Sequence, residues 1–385
     1  MIKEMADSLK NELISIRRQL HKTPETDFEE IKTAAFIREK LTEYSIPYFV
    51  SAKTGTVAVI HGKNEEKTVL LRADIDGLPI KDESNFHIKS ERDGFMHACG
   101  HDIHSACLLG AAKILNSLKD TLNGNVKLVF QPAEEGMGGA LPMIEEGILE
   151  NPCVDGAFAL HVEPLETTGK IQIKDGSIMA SPDDFEIIIH GVGGHGAYPE
   201  KCVNPLSVGT EILREYHGIS EKYNLPCVVT ICSFNGGSCR NAIPDTATIT
   251  GTARSIDPIT RKKLIEVLEN TVSAIADKWK ITIEFNFNVL FPPVINNEKM
   301  NSIVQKSAEK LGLGITLLNE PSMAGDDFSY FCERVPSSYF KLGIGNTSKG
   351  AVYPIHSPKF FADEDALPLG ASIMAQAAVD FLDTF

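Results

Sequence analysis

The chain has 385 residues, of which 43% are hydrophobic and 23% charged, with a formal net charge of −15. That length argues for two domains, and that composition for ordinary hydrophobic cores that stand without disulfides. The acidity excludes the basic surface on which nucleic acid or an anionic membrane would dock.

The first residues carry no apolar signal core, and the longest apolar run, 366–375, is too short to span a bilayer. Eight scattered cysteines without a C-x-x-C pair read as reduced thiols of a cytoplasmic protein. In chain order, residues 3–21 place Leu9, Leu13, Ile16 and Leu20 at helical spacing. Strand-like runs follow at 57–60 and 68–71. Then come a helical face of Ile103, Cys107, Ala111, Ile114 and Leu118, and strands at 126–130 and 157–160. Strands alternating with helices predict an α/β domain with a mostly parallel sheet covered on both sides. From residue 185 the order becomes strand 185–190, helix 205–216, strands 228–234 and 247–253, helix 261–279 and strand 281–287. That βαββαβ order predicts a ferredoxin-like unit. Ser181-Pro182 and Phe291-Pro292-Pro293 punctuate its edges. Residues 182–290 are therefore expected as a domain inserted into a first domain of residues 1–181 and 291–385. Helices near 301–311 and 366–381 and a strand at 339–344 return the chain to the first domain.

The unusual polar residues fall at predicted strand ends. Asp74 and Asp76 follow the 68–71 strand, Glu134 and Glu135 follow the 126–130 strand, and the 157–160 strand runs into His161. Ligands of open α/β sheets bind at the carboxyl ends of strands, so three strands deliver Asp, Glu and His to one rim. His97, Cys99, His101, Asp102 and His104 crowd just before a helix expected to open near Ile103. Its partially positive N-terminus favours a thiolate at Cys99, and thiolate and imidazole both ligate zinc-like metals. A turn with solvated histidines is the blander reading, but three histidines and a cysteine so close together weigh against it. A structural zinc finger would need paired Cys or His spacing, which is missing. Adjacent carboxylates at a strand end point different ways, so one of Glu134 and Glu135 can bind metal while the other moves a proton, as amide hydrolysis requires. By spacing alone His195 is a residue of a glycine-rich turn, and His356, held between two prolines, is a candidate remote ligand.

Together the segments LRADIDGLPI (71–80), MHACGHDIH (96–104), QPAEEG (131–136), GGHGAYPE (193–200), GDDFSYF (325–331) and PIHSPKF (354–360) resemble the dinuclear-metal aminoacylase and carboxypeptidase family. The likeness runs from Arg17 to the C-terminus and is greatest to the amidohydrolase branch, which includes hippurate hydrolases, auxin-conjugate hydrolases and N-acetyl-diaminopimelate deacetylases. It implies two divalent metal ions per subunit, zinc or manganese, with nickel also compatible. Cys99 would bridge them, and His101, Glu135, His161 and His356 would complete the coordination. Glu134 would be the general base on a metal-bound water and would later protonate the leaving amine. Asp76 matches an aspartate that orients a metal-side group. Asp74 stands where peptidase relatives carry a histidine ligand, which leaves the division of labour between the two aspartates open. His195 would stabilise the oxyanion from the inserted domain of a second subunit, making that domain a lid and the interface of a homodimer. Asn241 and Arg254 resemble lid-side positions that hold the substrate carboxylate or the oxyanion.

The expected function is hydrolysis of N-acyl-L-amino acids to a carboxylic acid and a free amino acid. The narrower alternative is an N-acetyl-diaminopimelate deacetylase. A metallo-dipeptidase or carboxypeptidase comes third, because Cys99 replaces the aspartate of that branch. An inactive metal-binding homologue should have lost Glu134 or a ligand, and all are present. At Gly325-Asp326-Asp327 a Glu often precedes the second Asp in the family; loss of activity is not expected from this departure.

Overall fold

The structure is a computed structural model describing residues 1–384, and it divides into two units. The first comprises Met1–Gly176, Ile295–Glu320 and the chain from Asp327 on; the second comprises Ser177–Val294 and Pro321–Asp326.

The first unit is built on an eight-stranded sheet in the order Tyr48–Ser51, Gly55–Ile60, Asn125–Gln131, Thr68–Asp74, Gly156–Thr167, Ser337–Gly345, Lys170–Ile173, Gly314–Leu317. Its four central strands, from Asn125–Gln131 to Ser337–Gly345, run parallel, and antiparallel pairs occur toward the edges. Every residue of Thr68–Asp74 and Asn125–Gln131 is buried, as expected where helices cover both faces of a parallel sheet. The helix His101–Ser117 packs against Lys10–Lys22 and Ala366–Thr384. It is buried nearly all round, which explains why its sequence shows little polar face.

Three local expectations need correction. The predicted 3–21 helix breaks at Leu9 into Ile2–Ser8 and Lys10–Lys22. The helix expected near Ile103 opens at His101, so His101 and His104 stand in its first turns. His161 lies inside a strand, because pairing with Ser337–Gly345 carries Gly156–Thr167 well past Leu160.

In the second unit four antiparallel strands lie in the order Cys227–Gly236, Thr246–Ser255, Ser181–His190, Thr282–Asn288. The helices Pro205–Tyr216 and Pro258–Trp279 pack on this sheet, each opened by a proline at its start and a side-chain cap, Asn204 or Asp257. Burial alternates residue by residue along Thr246–Ser255, the mark of a sheet covered on one face. A two-residue ribbon, Gly194–His195 against Ala242–Ile243, stands apart from the sheet. No helix among the described residues is long and apolar enough to cross a membrane.

Candidate metal centre

Two loops of the first unit are clamped together around Cys99. Met96 and Leu78 exchange backbone hydrogen bonds, and the His356 N–H donates to Ala98 O at 2.8 Å. His356 has a left-handed φ of 61°, so the stiff Pro354–Pro358 loop turns sharply there. Gly100, at φ 86°, caps the helix that begins with His101, and a Cβ there would stand 2.5 Å from the Val162 side chain. Glycine is thus required between Cys99 and His101 for both its backbone angle and its closeness to the His161 strand.

The Glu134–Glu135 pair is delivered by a turn at Ala133, which has φ 52°. The ligand atoms of Cys99, His101 and His161 lie within 4.8 Å of one another, as do those of Cys99, Glu135 and His356, and those of His101, Glu134 and Glu135. All five sequence-predicted ligands and Glu134 are therefore brought to one place.

The histidines there are already oriented. His101 Nδ1 is 3.0 Å from Asp76 Oδ1, and Asp76 Oδ2 accepts the Glu135 N–H at 3.0 Å. His161 Nδ1 donates to its neighbour's carbonyl, Val162 O, at 2.7 Å, leaving Nε2 to face Cys99 Sγ at 3.4 Å. In both rings Nδ1 is engaged and Nε2 is turned toward the other ligand atoms, the orientation metal-ligating imidazoles adopt.

Asp74, left open by the sequence, has a different setting from Asp76. One oxygen contacts His104 Nδ1 at 2.5 Å and the other contacts Arg72 Nη1 at 2.5 Å. His104 Nε2 accepts the Val162 N–H at 2.9 Å, so both of its nitrogens are engaged and it does not serve as a ligand. Arg72 also donates to Gln131 Oε1 and Asp327 Oδ1, while Gln131 Nε2 donates to Asp327. This buried charge network beneath the ligands escaped sequence analysis. Its signal was faint: Arg72 and Asp74 are charged residues two apart in a strand that is otherwise apolar after Thr68. His97 likewise stands outside the ligand groups. Its Nδ1 is 3.1 Å from Asp76 O, and burial pushes its pKa down to about 4 against the pull of Asp102.

The electrostatics favour a cation. Burial alone would lower the pKa of His101, but Asp74, Asp76 and Glu135 outweigh it and raise it to about 10. Burial raises Asp74, but the charges of His101, Arg72 and His104 prevail and hold it well below the usual carboxylate range. Burial, followed by Glu135, Glu134 and Asp74, pushes the Cys99 thiol well up, the opposite of the thiolate expected from the helix terminus alone. Negative charge thus exceeds positive charge, and protons occupy the ligands in its place. The buried His101 Nε2 makes no hydrogen bond and lies 3.7 Å from Glu135 Oε1. Glu135 Oε1 is also 3.2 Å from His356 Nε2. Thiol, imidazole and carboxylate groups converging this way fit a borderline divalent metal.

The remaining sequence-predicted residues belong to the second unit. His195 is exposed, and its Nδ1 accepts the Ala197 N–H at 3.0 Å. Asn241 is its neighbour across the ribbon, with Asn241 O accepting the Gly196 N–H at 2.8 Å. Arg254 lies on the strand Thr246–Ser255, half-buried. Burial lowers its pKa, opposed by Asp183.

A sequence model of Peptidase family M20/M25/M40 matches residues 70–380. The chain is 37% identical to thermostable carboxypeptidase 1 of Saccharolobus solfataricus, over 98% of this chain and 99% of that protein. It is 35% identical to N-acetyl-L-cysteine deacetylase of Bacillus subtilis, over 98% of this chain and 90% of that protein. The solved structure of a Bacillus subtilis dinuclear metal binding peptidase from the M20 family superposes with a TM-score of 0.88 at 33% identity, covering 98% of this chain and 100% of that one.

Proposed function

Because the chain belongs to Peptidase family M20/M25/M40 and is a metal-dependent hydrolase of that family, we propose that it cleaves the amide bond of N-acyl-L-amino acids, releasing a carboxylic acid and a free amino acid. The observation that carries this reading is Glu134, half-exposed, with its carboxylate in one group with His101 and Glu135. A carboxylate beside the ligands yet open to solvent can exchange protons with a substrate.

Two divalent metal ions, held by Cys99, His101, Glu135, His161 and His356, would supply Lewis acidity to the amide carbonyl and charge to offset the developing oxyanion. Glu134 takes a proton from the attacking water and gives it to the leaving amine, which otherwise departs as a poor anion. Asp76 acts through others: one oxygen holds His101 Nδ1 and the other holds the Glu135 backbone. It is a positioning residue. His195 is assigned to the oxyanion, as a donor from Nε2, since its Nδ1 already accepts the Ala197 N–H. Asn241 and Arg254 are assigned to the substrate carboxylate, and the second unit to a lid and homodimer role.

The carboxypeptidase of Saccharolobus solfataricus favours a second reading, in which the acyl group is itself a peptide. Both readings share a substrate whose leaving amine belongs to an amino acid with a free carboxylate. A panel of N-acetyl and N-benzoyl amino acids, N-acetyl-diaminopimelate and blocked dipeptides, each with and without a free C-terminal carboxylate, separates them. Turnover of the peptides alone would overturn the N-acyl-amino-acid reading. Absence of turnover on every substrate by metal-loaded protein would overturn both.

A further inference from the structure

Glu30 carried no motif in the sequence, yet it is fully buried. Its carboxylate is bound from three separate directions. Oε1 accepts the N–H of Phe28 at 3.1 Å and the N–H of Ala133 at 3.1 Å, and Oε2 accepts the Thr54 hydroxyl at 2.5 Å. Each of these partners belongs to a turn whose backbone is in the left-handed region without glycine. Asp27 and Phe28 have φ 56° and 64°, Ala52 and Lys53 have φ 46° and 64°, and Ala133 has φ 52°. Such conformations are disfavoured for residues with a Cβ and persist only where the surroundings hold them.

The three turns also pack on one another around the segment that carries the two glutamates. A Cβ on Gly136 would meet Asp27 Oδ1 at 2.4 Å, and one on Gly55 would meet Pro132 Cδ at 3.1 Å. The Lys53 ammonium lies 5.4 Å from the centre of the Phe28 ring. Pro132 and Gly136 bracket Glu134 and Glu135, so the turns at 27–28 and 52–55 grip this segment from both ends. Glu30 is the hydrogen-bonding partner that the three turns share.

We propose that Glu30 is a positioning residue: its carboxylate holds Ala133 in the left-handed conformation that presents Glu134 and Glu135 to the ligand cluster. The inference rests on the assignment of Glu134 as the proton-transfer group and of Glu135 as a ligand. Its physical content is reach and hydrogen-bond acceptance rather than charge. Gln can keep the Oε1 bonds to both backbone N–H groups and turn its amide toward the Thr54 oxygen. Asp keeps the charge but falls one methylene short of three turns at once.

The test compares Glu30→Gln, Glu30→Asp, Glu30→Ala and Glu30→Ala with Ala133→Gly in full-length protein. It reads kcat, KM, circular dichroism, and Mn²⁺ or Zn²⁺ affinity by calorimetry. Glu30→Gln is expected to stay within about threefold of wild type. Glu30→Asp and Glu30→Ala should lose about ten- to a hundredfold in kcat, because small displacements of a reacting group are that costly, and they should also bind metal more weakly. Adding Ala133→Gly should recover part of the kcat lost in Glu30→Ala, since glycine adopts the left-handed angle unaided. A role in stability alone would lower the melting temperature and leave kcat of folded, metal-loaded protein unchanged, which overturns the inference. So does Glu30→Asp matching wild type while Glu30→Gln is damaged. If Glu30→Ala does not fold, the Gln and Asp pair decides. Glu134→Gln is the control: full activity there defeats the assignment beneath this inference. An inactive Glu134→Gln beside an unimpaired Glu30→Asp defeats the inference alone.

Discussion

His161 and His195 are both strand histidines, and they are treated in opposite ways. In the first unit three imidazoles at the ligand cluster are set in advance: His161 by the Val162 carbonyl, His101 by Asp76, His104 by Asp74 and the Val162 N–H, while His356 is half-exposed. The three rings are buried, and their partners are buried with them. In the second unit His195 is exposed, and the bond to its Nδ1 comes from Ala197, two residues away in its own turn. The difference teaches where orientation is stored. The first unit fixes its donors before any substrate arrives, as metal ligation demands. The second keeps its imidazole accessible to solvent.

That contrast can be broken or sharpened by measurement. The largest effect is expected from Glu134→Gln: kcat should fall about a thousandfold through loss of proton transfer, with the metal content of the protein unchanged. Undiminished turnover would remove Glu134 from the chemistry. His195→Ala should reduce kcat about a hundredfold by removing an oxyanion donor, while calorimetric metal affinity stays at the wild-type value. A marked drop in metal affinity would show that the second unit's histidine is not separable from the ligand set. Asp76→Asn should act the other way, weakening metal binding about ten- to a hundredfold, as losses of a carboxylate behind a ligating histidine do; unchanged affinity would contradict its positioning role.

Metal affinity is also expected to depend on pH. His101 has its pKa raised to about 10, and the Cys99 thiol is raised as well. At neutral pH both side chains therefore carry protons that a bound metal would displace. Affinity should therefore climb with pH from 6 to 9, by about tenfold per pH unit for each proton released. Titrations in buffers of different ionisation enthalpy count those protons, and a flat profile would mean that the ligands are already deprotonated.

Much of this was legible in the residues. The α/β class and the βαββαβ order came from periodicity and punctuation, and the strand-end carboxylates and the 96–104 cluster from polar types, while the full ligand set came from the family resemblance. The four-residue strands Tyr48–Ser51, Lys170–Ile173 and Gly314–Leu317 did not, because runs so short cannot display a period of two. The continuation of the His161 strand was hidden for another reason, since it depends on the partner Ser337–Gly345, far along the chain. The same applies to function. Spacing brought Asp74, Asp76, His97 and His104 forward as near equals with the ligands. Only their partners distinguish them: Arg72 neutralises Asp74, Asp76 supports His101, and His104 spends both nitrogens on structure. Glu30 escaped entirely, because the residue it holds, Ala133, is distant in sequence and unremarkable in type.

The raised pKa of Cys99 also bears on its reactivity. Thiolates, not thiols, are attacked by peroxide and alkylating agents. Cys99 is buried among carboxylates that keep its proton on, so it is a poor target. Cys153, Cys232 and Cys239, which are exposed, offer themselves first. The surplus of negative charge around Cys99 therefore also guards its thiol against oxidation and alkylation.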